Sequence, residues 1–185
     1  MKGTKKEIHI DDKVIRYTHI EKGSNIICFM FSGSGYNYDK PLFYYATMLM
    51  LEHKIDVVHI HYSYDGQYND SMFLGKSLGT IPIANDLMKR EEFSQSKMIL
   101  LTPLLTFNSI FDSILHSRHE GLLVIGDRDH QYNADQIEQL DHSNLKIEIV
   151  NNANHSLHVG EYKTENSIEA IAKVIETLKE VVRTN

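Results

Sequence analysis

The sequence predicts an α/β fold with a mainly parallel central sheet and helices on both of its faces. Short apolar runs alternate with stretches of helical spacing through most of the 185 residues, a pattern typical of βαβ units. The run at 25–31 is almost continuously apolar, as expected of a strand that is covered on both faces. The 3 prolines and 10 glycines lie mostly at the edges of these segments, so they mark boundaries between elements.

Two strands are predicted near the N-terminus, at an antiparallel edge of the sheet. Segment 7–10 ends at the turn pair Asp11-Asp12, and segment 14–20 follows with alternating apolar and polar character. The buried strand 25–31 comes next and ends in a run of serine and glycine. The later strands are predicted at 55–60, 72–74, 98–101, 122–125 and 145–150.

Helices are predicted between these strands. Asp39 offers an N-cap and Pro41 lies in the first turn of a helix that follows the strand at 25–31. The last segment is the clearest helix, with an apolar stripe from Ile168 to Val182 and a capping-box start at Asn166 and Glu169. The remaining helical patterns fall at 83–88, 107–115 and 131–140.

Composition excludes several classes of protein. Lys+Arg 19 against Asp+Glu 25 gives a net charge of -6, which argues against nucleic-acid binding because phosphate contacts need a basic field. The single cysteine, Cys28, lies in an apolar strand and is expected to be a buried small hydrophobe. No signal peptide is visible, and no stretch approaches the roughly 18 apolar residues of a membrane helix. We therefore expect one cytoplasmic domain over residues 1–185.

The most specific motif is GKSLG at 75–79, which matches G-x-S-x-G in a strand–turn–helix context. Such a turn strains the backbone at Ser77, and the flanking glycines let strand and helix approach without Cβ clashes. A phosphate-binding loop is excluded because its first glycine would fall at position 70, which is Asp70. A plain strand-to-helix turn without chemistry stays open at this point.

An acid and a histidine follow two of the later predicted strands. The strand at 122–125 ends at GDRD (126–129), and the strand at 145–150 ends at a loop that contains His155. Because parallel strands bring their carboxyl ends to one edge of the sheet, serine, acid and histidine should gather there. Acyl-transfer chemistry needs this set of side chains in one place.

Together these segments resemble the α/β-hydrolase superfamily, in the order of elements from about residue 26 to 182. The resemblance is carried by GKSLG at 75–79, GDRD at 126–129 and NHSL at 154–157. It implies that Ser77 is the nucleophile, His155 the general base and acid, and Asp129 the carboxylate that orients the imidazole. The family's spacing of glycine, two residues and acid favours Asp129 over Asp127.

The resemblance also implies the surroundings of this triad. The oxyanion would be met by the backbone N–H groups of Leu78 and Ser34. Tyr36 is a candidate for substrate contact, although simple packing remains an alternative. The chain departs from the family in the short loop between 60 and 72, in the missing cap domain, and in Pro82, which must lie in the first turn of its helix. These departures predict a trimmed fold with an open, shallow pocket.

Other histidines carry weaker hypotheses. His158 competes with His155 for the role of base. His59 and His61 share a strand face and could hold a metal, but no carboxylate or cysteine completes a site at useful spacing, so no metal is expected. His116 and His119 are expected at the solvated surface.

The resemblance implies a serine hydrolase that cleaves an ester, thioester or related acyl bond of a small molecule and needs no cofactor. Two alternatives stay open. One is a non-catalytic binding module on the same fold, and the other is an acyltransferase that uses the same triad with an acceptor other than water. The sequence does not indicate the oligomeric state or the identity of the substrate.

Overall fold

The computed structural model describes residues 3–10, 13–32, 37–61, 70–161 and 163–183. Within them, one sheet of eight strands has the order β1-β2-β4-β3-β5-β6-β7-β8. The strands are β1 (Thr4–Ile10), β2 (Lys13–Ile20), β3 (Ile26–Phe31), β4 (Asp56–Ile60), β5 (Asp70–Lys76), β6 (Lys97–Leu101), β7 (Gly121–Gly126) and β8 (Leu145–Val150). The α-helices are α1 (Pro41–Glu52), α2 (Thr80–Asn85), α3 (Asn108–Leu115), α4 (Ala134–Leu140) and α5 (Thr164–Arg183). The predicted fold class is confirmed.

The pairing of the strands explains where a site can form. β1, β2 and β4 pair antiparallel at one edge, whereas the pairs from β4 through β8 are parallel. β3 lies between β4 and β5, so the chain leaves β3 toward one side and leaves β5 toward the other. Open α/β sheets bind their ligands at such a reversal, outside the carboxyl ends of the strands. Ser77 follows directly after β5, at this reversal.

Each face of the sheet carries its own apolar core. Helices α1 and α5 cover one face, where Leu42 and Leu178 pack over strand residues such as Leu74. Helices α2, α3 and α4 cover the other face, where Ile110 packs in a cluster with Phe73. Successive residues of β5 and β6 point alternately into the two cores. This two-sided burial is the reason that the central strands are apolar without interruption.

Two predicted helix starts are wrong. The N-cap of α1 is Lys40 rather than Asp39, although Pro41 is the first helical residue as predicted. Helix α5 begins at Thr164, ahead of the predicted capping box at Asn166 and Glu169. Its first turns lie outside the core, so Ile168 is 62% exposed. The buried part of its stripe consists of Val174, Thr177, Leu178 and Val182.

Three local details of the chain can be compared with the sequence predictions. Cys28 is fully buried in β3, and burial raises the pKa of its thiol. Pro82 is the third residue of α2, where its missing N–H breaks no helical hydrogen bond. Helix α2 ends at Asn85, sooner than predicted, and the chain continues as a 3₁₀ turn over Leu87–Lys89.

Two predicted regions lie outside the described residues. The connection between β4 and β5 falls at 62–69, and the loop after β3 that contains Ser34 and Tyr36 falls at 33–36. Of the helices in the described ranges, none combines the length and the apolar character that crossing a membrane requires.

Candidate active site

Ser77 lies on a sharp turn between β5 and α2. Its φ of +54° is in the left-handed region, which costs a residue with a Cβ about 1–2 kcal/mol. A Cβ added to Gly75 would lie 2.5 Å from the carbonyl oxygen of Gly79, and one added to Gly79 would lie 2.2 Å from that of Phe31. The two glycines of the motif are therefore required by the close approach of strand, turn and helix.

The imidazole of His155 lies between Ser77 and Asp129. His155 Nε2 is 2.8 Å from Ser77 Oγ, and His155 Nδ1 is 2.8 Å from Asp129 Oδ2. An ionised carboxylate only accepts hydrogen bonds, so Nδ1 carries the ring proton and Nε2 is left to accept from the serine hydroxyl. The structure thus brings together the three side chains that the sequence placed on separate strand ends.

Asp129 is held by the turn after β7. Its side chain is fully buried, whereas that of His155 is 24% exposed. Asp129 Oδ1 accepts the backbone N–H of Gln131 at 2.9 Å, which leaves Oδ2 for the histidine. Asp127 is partly buried and accepts the N–H of Asn152 at 2.6 Å. The two acids therefore have different partners. Asp129 contacts the ring of His155, whereas Asp127 accepts a hydrogen bond from the backbone of the following loop.

The histidine loop, which we define as residues 151–160, packs closely on the acid turn. A Cβ added to Gly126 would lie 2.0 Å from the carbonyl oxygen of Ala153. Within the loop, Asn154 Oδ1 accepts the N–H groups of Ser156 at 2.9 Å and His158 at 3.1 Å. His158 is exposed, and its backbone completes this turn. It is therefore His155, not its competitor His158, that is in hydrogen-bond contact with Ser77.

A buried lysine lies under the site, and the sequence interpretation gave it no role. Lys76 precedes Ser77 and is only 2% exposed. Its Nζ donates to Thr102 Oγ1 at 3.1 Å and to the carbonyl oxygen of His155 at 2.9 Å. Burial lowers its pKa to about 8, against the opposing influence of the Asp129 charge. The available signal was its place at the end of β5. Because side chains alternate along a strand, Lys76 lies on the same face as Leu74, toward a buried core.

A metal ion has one candidate position in the described part of the chain. Asp129, His130 and His155 each offer a ligand atom, and these atoms lie within 4.8 Å of one another. His130 Nδ1 is 3.3 Å from Asp129 Oδ1. Both oxygens of the carboxylate, however, already accept hydrogen bonds, from Gln131 and from His155. The arrangement therefore suits a hydrogen-bonded serine–histidine–carboxylate relay better than a metal centre.

The pair His59 and His61 makes hydrogen bonds and ring contacts within the protein. His59 stacks on Tyr38 with ring centroids 4.1 Å apart, and its Nε2 lies 2.8 Å from Thr47 Oγ1. Burial lowers the pKa of His59 to about 4. His61 Nε2 lies 3.3 Å from Thr18 Oγ1, on the antiparallel side of β4. The Nε2 atoms of the two rings thus contact different threonine hydroxyls, and both rings lie against the ring of Tyr38.

His119 corrects a sequence prediction. It is buried rather than solvated, at 5% exposure, with Nδ1 3.0 Å from the carbonyl oxygen of Ser96. His116 is exposed, as expected.

A cavity of about 460 Å³ lies beside the histidine loop. Asn154, which directly precedes His155, forms part of its wall. Pro41 and Ile168 contribute apolar surface, and Lys163 and His158 contribute polar groups. A cavity of this volume and mixed character can accommodate a small organic molecule.

The fold is similar to that of several solved structures. A predicted CIB-like hydrolase from Thermoplasma acidophilum superposes with a TM-score of 0.70 at 16% identity, over 97% of this chain and 99% of that one. The esterase Pf2001 from Pyrococcus furiosus gives 0.68 at 14% identity, over 97% and 92% of the two chains. Dienelactone hydrolase from Anabaena variabilis gives 0.70 at 15% identity, over 97% and 95%. No protein-family model matches this sequence, and no curated protein matches it significantly.

Proposed function

Because this chain has the α/β-hydrolase fold, we propose that it is a serine hydrolase that cleaves an ester, thioester or related acyl bond of a small molecule. One observation carries the proposal. The His155 imidazole is within 2.8 Å of both the Ser77 hydroxyl and the buried Asp129 carboxylate. A hydroxyl, an imidazole and a carboxylate in this order form the set that activates serine toward an acyl carbon.

The reaction follows from these contacts. His155 Nε2 takes the proton of Ser77 Oγ as that oxygen attacks the acyl carbonyl carbon, and Asp129 stabilises the resulting imidazolium. The tetrahedral intermediate collapses, the bond to the leaving group breaks, and His155 gives the proton to the leaving group. Water, activated by His155 in the same way, then attacks the acyl-serine, releases the acid and restores Ser77.

The negative charge that develops on the carbonyl oxygen needs donors. Leu78 directly follows Ser77 in the 3₁₀ turn Ser77–Gly79, and we assign its backbone N–H to this role. Ser34 and Tyr36, the other proposed contacts of the substrate, lie outside the described residues. Loss of one such donor typically lowers kcat by about 10²–10³-fold.

The conformation of the turn favours an enzyme over a non-catalytic module. The left-handed conformation of Ser77 is costly for a residue with a Cβ, and strained residues of this kind cluster at active sites. Both ring nitrogens of His155 have their expected partners, Ser77 and the buried Asp129, within the described site. An acyltransferase would use the same side chains and would differ in the molecule that accepts the acyl group.

Hydrolysis of a short activated ester tests the proposal. Ser77→Ala should lower kcat by about 10⁶-fold, because the nucleophile and its base act as a unit. A fluorophosphonate should add its mass to Ser77 in the wild type. Ser109→Ala, at an exposed serine of α3, is the matched control and should behave as the wild type.

Equal rates for the wild type and Ser77→Ala, or a folded protein whose Ser77 stays unlabelled, would overturn the proposal in favour of the binding module. Product analysis with added alcohols or amines separates the remaining possibilities. Acyl transfer to the additive at the expense of the free acid would indicate a transferase.

A further inference from the structure

Lys76 is a buried cation at a place where a neutral side chain would fit the core. Its side chain is surrounded by the ends of β5 and β6 and by the histidine loop, and the residue is 2% exposed. Removing an ammonium group from water carries a large free-energy cost, which hydrogen bonds and an opposite charge only partly offset. A methionine of similar length would avoid this cost, so the charge calls for a functional reason.

The contacts of Lys76 join three segments of the chain. Its Nζ reaches Thr102 Oγ1, just past β6, and the main-chain carbonyl oxygen of His155, which is 79 residues away in sequence. Thr102 itself is fixed, since it is completely buried, has a φ of +46° and donates its N–H to Val124. The ammonium therefore connects a rigid point of the sheet to the backbone of the residue that carries the imidazole.

The support from Lys76 complements that from Asp129. The carboxylate holds the ring of His155 at Nδ1, whereas the ammonium holds the main chain of the same residue at its carbonyl oxygen. With both in place, the position of Nε2 relative to Ser77 Oγ is determined from two directions. Catalytic geometry is sensitive to small displacements, because a shift of about 1 Å can lower a rate by about 100-fold.

The charges near Lys76 separate a positioning role from an electrostatic one. Among the described residues, the Asp129 carboxylate is a charge that acts on Lys76, and the contact of Lys76 with His155 is to the main-chain carbonyl oxygen. An ammonium ion disfavours the imidazolium that forms on His155 during the reaction, by repulsion between like charges. The charge of Lys76 therefore does not help His155 to take up a proton, whereas its hydrogen bond to the His155 main chain can hold the imidazole in position.

We propose that Lys76 is a positioning residue, whose ammonium group holds the main chain of His155 so that the imidazole meets Ser77. This inference rests on the proposed hydrolase function. Lys76 touches neither the substrate nor the reacting atoms in this mechanism. Its effect should appear in the rate of the chemical step rather than in the binding of the substrate.

Lys76→Met tests the proposal, with Lys97→Met as the matched control. Lys97 also donates its ammonium to a main-chain carbonyl oxygen, that of Val181 at 2.8 Å, but it lies at the start of β6, at the opposite end of the strand from Thr102. We expect Lys76→Met to lower kcat by about 10–100-fold with KM nearly unchanged, and to slow fluorophosphonate labelling of Ser77 similarly. The thermal midpoint should not fall more than it does in Lys97→Met, whose kcat should stay at the wild-type value.

The pH dependence gives a readout that a merely structural residue would not change. Since Lys76 has a pKa of about 8, a rise of the pH through this value replaces the charge-assisted hydrogen bond to the His155 carbonyl oxygen by the weaker bond of a neutral amine, so the wild type should lose part of its activity there. Lys76→Met should lack this alkaline decline. If Lys76→Met does not fold, Lys76→Gln serves instead, because its shorter neutral side chain falls short of the His155 carbonyl oxygen.

Three results would overturn the proposal: a kcat within twofold of the wild type, a loss of activity matched by Lys97→Met, or a lowered kcat with the alkaline decline still present. Failure of the proposed function is distinguishable from these. In that case Ser77 of the wild type is not labelled and no ester is cleaved, so both proposals are lost together.

Discussion

Two histidines of this protein make the same contact with a hydroxyl group, yet their surroundings differ. His155 Nε2 lies 2.8 Å from Ser77 Oγ, and His59 Nε2 lies 2.8 Å from Thr47 Oγ1. His155 has a buried carboxylate on its other nitrogen and a partly exposed ring. His59 is packed against the ring of Tyr38 in the interior.

The hydroxyl groups differ as well. Thr47 lies within α1, where its hydroxyl is also 2.8 Å from the carbonyl oxygen of Phe43 and 3.4 Å from Met30 Sδ, so His59 is one of several partners. Ser77 follows the carboxyl end of the central strand β5, on a turn in which its φ is +54°. In the proposed mechanism, a histidine–hydroxyl contact supports catalysis only when a carboxylate holds the other ring nitrogen and the site is open to the substrate.

Replacing the Asp129 carboxylate by an amide should give the largest change in kcat. Asp129→Asn keeps the shape of the side chain but favours the wrong tautomer of His155, so we expect kcat to fall by about 10⁴-fold. Asp127→Asn is the control, because Asp127 accepts from the loop backbone at Asn152. Steady-state hydrolysis of a short activated ester measures both. Similar losses in the two variants would mean that the acid turn contributes only structure.

A lower pH should reduce the stability of the fold through His59. The folded protein keeps His59 neutral, with a pKa of about 4, whereas an unfolded chain binds the proton near pH 6.5. The unfolded state therefore takes up more protons between these values, and stability contributed by neutral His59 is lost as the pH falls through this window. The expected loss in the free energy of unfolding is about 3 kcal/mol between pH 7 and pH 4.

Denaturant unfolding at the two pH values measures this loss in the wild type and in His59→Gln, which cannot titrate there. The wild type should lose more stability than the variant by about the stated amount. An identical loss in both proteins would assign the acid sensitivity to other groups.

The smallest effect is expected from the second hydroxyl. Thr47→Val keeps the branched shape and removes the hydroxyl, which leaves the His59 nitrogen and the Phe43 carbonyl oxygen with one partner fewer. We expect a loss of about 1–3 kcal/mol in the free energy of unfolding and an unchanged kcat. Urea unfolding together with ester hydrolysis measures the two quantities. A large fall in kcat would show that this interior cluster supports the site after all.

The arrangement of the site could be predicted because it depends on strand order and motif spacing. Once the segments before Ser77, Asp129 and His155 are predicted as parallel strands, their carboxyl ends must lie at one edge of the sheet. The choice of Asp129 over Asp127 comes from the resemblance to the α/β-hydrolase superfamily, and in the structure Asp129 is the acid that contacts His155.

Features that depend on packing between distant segments could not be predicted in this way. The alternation of strand residues turns Lys76 inward, but only the folded chain brings the His155 carbonyl oxygen to its ammonium group. The ring nitrogens of the buried His119 lie 3.0 Å from the carbonyl oxygen of Ser96 and 3.3 Å from that of Met88. No local pattern in the sequence predicts these contacts. Ile168 continues an apolar stripe beyond the point where α5 leaves the core.

The burial of Cys28 has a practical consequence for spectroscopy. The sequence has one cysteine, and that thiol is shielded inside β3, so maleimide dyes should leave the folded protein unmodified. A second cysteine placed at the exposed position of Ile168, on the wall of the cavity beside the histidine loop, would then take up a single fluorophore. Its emission would report changes in the surroundings of this cavity, without removal of the native thiol.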